Sequence, residues 1–126
     1  MYKRVLVGMA VLAVLTTILA ACSIRDTALP NGPTVHMGNA NFLQNSITIS
    51  KGQSIVLIDD VAVEHIITNG TWQNGVAHAA KESGAPAYNQ TFNGDDSAVL
   101  GPFNTSGTFE YYCTLHPGMN LTVKVQ

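Results

Sequence analysis

Three side chains near the end of the sequence have the types and the spacing of a metal-binding loop. Cys113, His116 and Met119 follow one another with two residues in each gap, and Pro117 and Gly118 provide turn-forming residues between the last two. A loop of this length can bend three side chains toward one point. Thiolate and imidazole are strong ligands for soft or borderline metals and a thioether is a weak, soft one, so this set selects copper over magnesium or calcium.

A trigonal copper site of this kind needs a second histidine from elsewhere in the chain. The candidates are His36, His65 and His78. We favour His65 because it lies at a strand end, where a rigid sheet can present it beside the loop, whereas an ordinary exposed histidine needs no special role. The alternative interpretation of the loop is a coincidence of a buried structural cysteine, a loop histidine and a core methionine.

The first residues of the sequence have the layout of an export signal. Lys3 and Arg4 precede an apolar run, and small residues lead into Cys22. The sequence LAAC at residues 19–22 resembles the lipobox of bacterial lipoproteins, in which the cysteine is lipidated and the chain is cut just before it. The alternatives are an ordinary signal that contains a cysteine and a retained membrane-spanning helix, for which the apolar run is slightly short.

A lipidated Cys22 would leave Cys113 as the one thiol of the mature chain, so we expect no disulfide. A free thiol is a liability outside the reducing cytosol, because it oxidises or mispairs, and a bound metal explains why one is present. We therefore expect a signal peptide at residues 1–21, a flexible tether at residues 22–33 that contains two prolines, and one domain at residues 34–126.

The charged residues indicate which functions to exclude. From residue 22 onward, four basic and eight acidic residues give a formal charge of 4 − 8 = −4. This balance disfavours nucleic acid as a partner, because phosphate binding depends on clustered Lys and Arg. We interpret Asp59, Asp60 and Glu64 as solvated turn residues rather than catalytic carboxylates, since Asp favours turns. With no general acid, nucleophile or open metal position evident in the sequence, we do not expect an enzyme.

Short stretches of alternating or β-branched apolar residues predict a domain built from strands. Residues 45–60 (NSITISKGQSIVLIDD) predict a hairpin-like pair of strands with a Lys-Gly turn, and AVEHIITNG predicts a strand that ends in an Asn-Gly turn. GTFEYYC and NLTVKVQ predict two more strands. Between Gly70 and Asn89 the pattern weakens, and a short helix is predicted at Val76–Lys81. The fold class is therefore all-β, a sandwich or a small barrel.

Two of these stretches resemble the cupredoxins, the type 1 blue copper proteins. GTFEYYCTLHPGM is similar to their C-terminal copper loop, with the short spacing of amicyanin rather than the longer one of plastocyanin, and FLQNSITISKGQSIVLIDD followed by VEHIIT resembles their first half. The resemblance covers roughly residues 35–126 and implies a Greek-key β-sandwich with one type 1 copper ion at one end. It implies imidazole ligation by His65 and His116, thiolate ligation by Cys113 and axial thioether ligation by Met119.

One residue departs from the pattern of the resembled family. Many relatives have asparagine after the first histidine ligand, where it braces the copper loop by hydrogen bonds, and this chain has Ile66. The rigidity of the loop is then expected to come from Pro117 or from a polar side chain elsewhere.

The resemblance and the N-terminal sequence together imply a function. We expect a membrane-anchored blue copper protein that carries one electron between a donor and an acceptor redox protein. We also expect it to be a monomer, attached by its lipid to a membrane of the bacterial cell envelope, with its domain facing the periplasm or the cell exterior. The alternative is a copper-binding or copper-delivery lipoprotein without an electron-transfer role. A metal-free binding module would leave Cys113 unexplained.

Overall fold

A computed structural model of the protein describes residues 31–126. The predicted signal peptide at residues 1–21 and the predicted lipidation site Cys22 lie outside the described residues. The strands of the described part are β1 (Thr34–Met37), β2 (Ser46–Ile49), β3 (Ile55–Asp59), β4 (His65–Gln73), β5 (Val76–Ala79), β6 (Asn89–Phe92), β7 (Ser97–Leu100), β8 (Gly107–Cys113) and β9 (Asn120–Val125). Within residues 31–126, no helix is long and apolar enough to cross a membrane.

The strands form two sheets that pack on each other. In the three-stranded sheet, β3 lies between β1, with which it is parallel, and β7, with which it is antiparallel. The second sheet has the order β2-β9-β8-β4-β5, and β6 also pairs with β4. In this sheet β2 is parallel to β9 and the other pairs are antiparallel. The all-β sandwich predicted from the sequence is confirmed.

The inner faces of both sheets supply one apolar core. In β8, alternate side chains point inward, namely Phe109, Tyr111 and Cys113, as expected for a strand with one face on a core. Tyr112 points to the other face of the sheet and is nevertheless buried, because the β4–β5 hairpin covers it. Cys113 is thus the last of a core-facing series, and its thiol lies inside the end of the sandwich.

The prediction that the two strands within residues 45–60 pair with each other in a hairpin-like way is wrong. β2 pairs with β9 in one sheet, whereas β3 is the central strand of the other sheet. The turn at Lys51 and Gly52 carries the chain from one sheet to the other. Two hydrogen bonds hold this turn in place: the Lys51 amide donates to the Gln126 carbonyl and the Gly52 amide donates to the Phe103 carbonyl. Both segments are strands as predicted, and only their pairing differs.

The helix predicted at Val76–Lys81 is also wrong. β5 occupies Val76–Ala79 and pairs antiparallel with the second half of β4. The two strands are joined by Asn74 and Gly75, whose φ angles are 50° and 77°, and positive φ at both central residues is the requirement of the type I′ hairpin turn. The helix preference of Ala and Lys amounts to only a few tenths of a kcal/mol per residue, so strand pairing outweighs it.

The Asn-Gly turn predicted at Asn69 and Gly70 does not form, because β4 continues through both residues to Gln73. Gly70 has a φ of 129°, and a Cβ atom at this position would collide with the carbonyl oxygen of His78 and would lie 2.8 Å from the ring of Tyr112. Glycine therefore allows the hairpin to fold closely over the tyrosine ring.

The segment between β5 and β6 is held against the sheet by side-chain hydrogen bonds. The Asn69 amide group donates to the Pro86 carbonyl at 3.0 Å, and its oxygen accepts from the Tyr88 amide at 2.8 Å. The Tyr111 hydroxyl also donates to the Pro86 carbonyl, at 3.0 Å. Bonds of this kind impose no periodicity on the sequence, which explains why the pattern weakens between Gly70 and Asn89.

Two side chains tie the C-terminal loop to β4. The indole Nε1 of Trp72 donates to the Cys113 carbonyl at 2.8 Å. The side chain of Asn120 accepts from the Trp72 amide at 2.7 Å and donates to the Trp72 carbonyl at 3.0 Å, as a neighbouring strand would. The Thr114 amide donates to the Ile66 carbonyl at 2.9 Å, so the residue that departs from the family pattern contributes through its backbone.

Replacing Gly70 tests the close approach of the hairpin. Gly70→Ala is expected to lower the free energy of unfolding by about 3 kcal/mol, since it adds a steric collision to an unfavourable backbone angle. Gly75→Ala is the matched control, because its φ is also positive, at 77°, but an added Cβ would meet no atom within 4 Å. We expect a loss of about 1 kcal/mol there. Urea unfolding of the metal-free proteins measures both values, and equal losses would contradict the close approach.

Replacing Trp72 tests the attachment of the loop. Trp72→Phe removes the indole N–H and is expected to lower the free energy of unfolding by about 1–3 kcal/mol, with faster hydrogen exchange of the Thr114 and Met119 amides. Tyr112→Phe is the control, because it changes an aromatic side chain in edge contact with Trp72 without removing the bond to Cys113. The attachment is refuted if exchange in Trp72→Phe matches that of the control.

Candidate metal centre

Three of the four expected ligands meet at the thiol of Cys113. Its Sγ lies 3.3 Å from Nδ1 of His116 and 3.7 Å from Nδ1 of His65. One ligand atom from each of the three residues lies within 4.8 Å of the other two, and the ring centroids of the two histidines are 4.8 Å apart. Both rings therefore present the same nitrogen, Nδ1, to the sulfur.

The register of β4 on β8 places the first two of these groups. His65 is the first residue of β4 and Cys113 is the last residue of β8. Ile67 of β4 pairs with Cys113, and residues two apart in a strand share a face, so His65 and Cys113 point to the same side of the sheet. Both side chains are fully buried.

The loop after β8 returns His116 to the same place and holds the backbone of Met119 against that of Cys113. The Cys113 amide donates to the Met119 carbonyl at 3.0 Å, and the Met119 amide donates to the His116 carbonyl at 3.1 Å. Gly118 turns the chain with a φ of 82°, in the left-handed region that glycine adopts readily. Met119 is buried, whereas His116 is partly exposed. Of the four expected ligands, His116 is thus the one that reaches the surface.

The structure does not bring the other two candidate histidines to this site. His36 lies in β1 at the surface, and its Nδ1 is 2.7 Å from a carboxylate oxygen of Asp60. His78 is exposed in β5, where it pairs with Thr71. His65 is the candidate that lies beside Cys113, as the sequence predicts.

The interpretation of three acidic residues as solvated turn residues is wrong for one of them. Asp60 and Glu64 are exposed, whereas Asp59 is only 2% exposed. A carboxylate oxygen of Asp59 lies 3.7 Å from Nε2 of His65, the ring nitrogen that faces away from the sulfur. The sequence contained a signal for this burial: Asp59 is two residues beyond Leu57 in β3, so strand alternation places it on the core face.

Burial lowers the pKa of His65 below its ordinary value. The negative charge of Asp59 and a backbone contact with Gly38 oppose this effect only in part, and His116 lowers the pKa further. A depressed pKa keeps the imidazole neutral to lower pH, and the neutral ring is the form that binds a metal.

The chemistry of the donor set fits copper. The described part of the chain offers at this point a buried cysteine outside any disulfide and two imidazole nitrogens, and the loop that carries two of these groups ends at the buried Met119. Such soft ligands select copper, whereas calcium and magnesium take oxygen ligands. The carboxylate of Asp59 faces the far nitrogen of His65 and does not join the set.

Comparison with known proteins agrees with this chemistry. The model of the family described as copper binding proteins, plastocyanin/azurin family, matches residues 33–126. Plastocyanin from Ulva prolifera is 29% identical over 91 residues, which cover 71% of this chain and 90% of that protein. Chloroplastic plastocyanin from Physcomitrium patens is 26% identical over 119 residues, which cover 91% of this chain and 66% of that protein.

Amicyanin from Paracoccus versutus has a similar fold, with a TM-score of 0.60 at 21% identity, over 77% of this chain and 83% of amicyanin. The cupredoxin-like Greek-key β-sandwich predicted from the sequence is confirmed by this likeness. Copper as the cofactor is confirmed by the family match together with the converging donor groups. The match extends over nearly all of the described residues, and the chain therefore belongs to the plastocyanin/azurin family of copper-binding proteins.

Proposed function

We propose that this protein is a lipid-anchored blue copper protein that carries one electron at a time from a donor to an acceptor redox protein. The observation that carries the proposal is the convergence of the Cys113 thiol with Nδ1 of both His65 and His116. We assign these three groups and the Met119 thioether as the copper ligands. Copper supplies a one-electron couple between Cu(II) and Cu(I) in such a site.

The residues around the centre support a carrier rather than an enzyme. His65, Cys113 and Met119 are each at most 2% exposed, and backbone hydrogen bonds link the two ends of the loop. Ligands held in a compromise between the geometries that Cu(II) and Cu(I) prefer reduce the rearrangement that accompanies electron transfer. Because so little of the ligand set is open to a substrate, we assign no catalytic role to the site.

His116 is the proposed point of electron entry and exit. Its ring is partly exposed, and its neighbours Leu115, at 44% exposure, and Pro117 are also on the surface. The centres of protein interfaces are depleted of charged residues, so an apolar rim around the ring suits the brief contact of a redox partner.

We propose that a lipid on Cys22 holds the chain at a membrane of the bacterial cell envelope, with the domain facing the periplasm or the cell exterior. This proposal is supported by the lipobox-like sequence at residues 19–22. Residues 22–33 span up to about 40 Å when extended. A monomer on such a tether is free to turn its His116 end toward either partner.

The first test is the colour of the site. The oxidised, copper-loaded protein is expected to show an intense thiolate-to-copper band in the visible spectrum. Cys113→Ser should abolish the band because a hydroxyl replaces the thiolate, and Met119→Leu should keep it while raising the reduction potential, since the axial ligand tunes that potential. Absorption spectroscopy and voltammetry measure these effects, with the exposed His78→Ala as the unchanged control.

Three outcomes of this test are decisive. A fully loaded sample without the band would contradict the blue copper site. An unchanged potential in Met119→Leu would make Met119 a core residue rather than a ligand. Loss of copper during repeated oxidation and reduction would favour the copper-delivery lipoprotein over the electron carrier.

The second test concerns the anchor. Cys22→Ala is expected to release the domain from membranes or to block removal of the signal, because the thiol is the site of lipidation, while copper binding stays intact. Ser23→Ala is the control, since it changes the neighbouring residue and keeps the thiol. Membrane fractionation with detection of the protein measures the outcome. Continued membrane attachment of a fully expressed Cys22→Ala variant would favour a retained membrane-spanning helix.

A further inference from the structure

Asp59 is an anomaly in the core of the sandwich. It ends β3 on the inner face, and its side chain is fully buried. One carboxylate oxygen accepts a hydrogen bond from the Val61 amide at 3.3 Å, and the other has no hydrogen-bond partner. Among the described residues, no Lys or Arg lies within ion-pair distance of it. A buried carboxylate without such partners is costly, so its position calls for an explanation.

The imidazole ring of His65, which Asp59 faces, also has a buried nitrogen without a hydrogen-bond partner. Nε2 of His65 lies 3.7 Å from the nearer carboxylate oxygen, is buried, and has no hydrogen-bond partner of its own. The other nitrogen of the same ring, Nδ1, points to the Cys113 sulfur. The carboxylate oxygen that accepts from the Val61 amide is thus also the one nearest the unpartnered Nε2, and it lies behind a proposed copper ligand.

We propose that Asp59 is a positioning residue of the copper centre that acts through His65. Its carboxylate faces the Nε2–H of the ring, which fixes the tautomer whose Nδ1 is available to copper. Carboxylate groups that orient metal-bound histidines in this way also make them stronger donors. The proposal rests on the assignment of His65 as a ligand.

The negative charge of Asp59 has a second consequence at the same site. A buried charge interacts strongly with its surroundings, because the interior screens less than water does. The oxidised centre carries one more positive charge than the reduced centre, so a nearby carboxylate stabilises the oxidised form more. Asp59 therefore lowers the reduction potential of the site relative to an uncharged residue of the same shape.

The experiment replaces the charge and keeps the shape. In copper-loaded Asp59→Asn, the ratio of reduced to oxidised protein at a fixed electrode potential is expected to rise about tenfold, equivalent to an increase of about 59 mV for one electron. Asp60→Asn is the matched control, since its carboxylate is the next one along the chain but is exposed and bound to His36. Voltammetry at one pH and one salt concentration measures both variants.

A second measurement does not depend on copper. In the copper-free wild-type protein, nitrogen NMR of His65 is expected to show the tautomer with the proton on Nε2, with slow exchange of that proton with solvent. Asp59→Asn should speed this exchange at least tenfold, whereas Asp60→Asn should leave it unchanged. If Asp59→Asn fails to fold, the wild-type tautomer decides the question: a proton on Nδ1 overturns the proposal.

The outcomes separate this inference from the proposed function. A normal visible band with an unchanged potential and unchanged exchange in Asp59→Asn would overturn the role of Asp59 and leave the blue copper site standing. That result would indicate that the backbone of Gly38, which also approaches the ring, orients His65 instead. A visible band that survives in His65→Ala would overturn the ligand assignment itself.

Discussion

The register of β4 against β8 is the constraint on which the copper site depends. Because Ile67 pairs with Cys113, His65 and Cys113 fall on one face of the sheet at its end. A slip of one residue would turn His65 to the opposite face, since side chains alternate along a strand. Once the register is set, the loop that follows Cys113 has only to return over a few residues to add His116 and Met119.

The register is reinforced on the outer side of the same sheet. β4 is long enough to pair with β8 by its middle and with β5 by its end, and Gly70 allows the second pairing without a collision. Trp72 then lies where its indole reaches the Cys113 carbonyl, and Asn120 binds the Trp72 backbone from the far side of the loop. An isoleucine after the first histidine is tolerated because these bonds supply the brace.

The convergence of Cys113, His116 and His65 was predictable from the sequence because their residue types and short spacings are typical of metal binding. Cys113, His116 and Met119 lie in one loop, and the strands on either side of it alternate clearly. The pairing of β2 with β9 and the bond from Trp72 to Cys113 join residues far apart in the sequence, so no local pattern encodes them. The β4–β5 hairpin is local, and the signal for it was the pair Asn74 and Gly75 rather than the helix preference of the residues that follow. The burial of Asp59 was predictable only in part, because two sequence signals conflict there. Strand alternation places its side chain in the core, whereas the turn preference of aspartate places it in solvent.

The unpartnered polar atoms around His65 show where the stability of the domain must come from. A buried polar group without a hydrogen bond costs about 1–3 kcal/mol, and an oxygen of Asp59 and Nε2 of His65 are both in this condition. The total stability of a domain is only about 5–15 kcal/mol. The apolar core between the sheets therefore has to hold the ligands in place before the metal binds. Copper that binds only the folded state then adds stability that grows with the logarithm of its concentration relative to its dissociation constant.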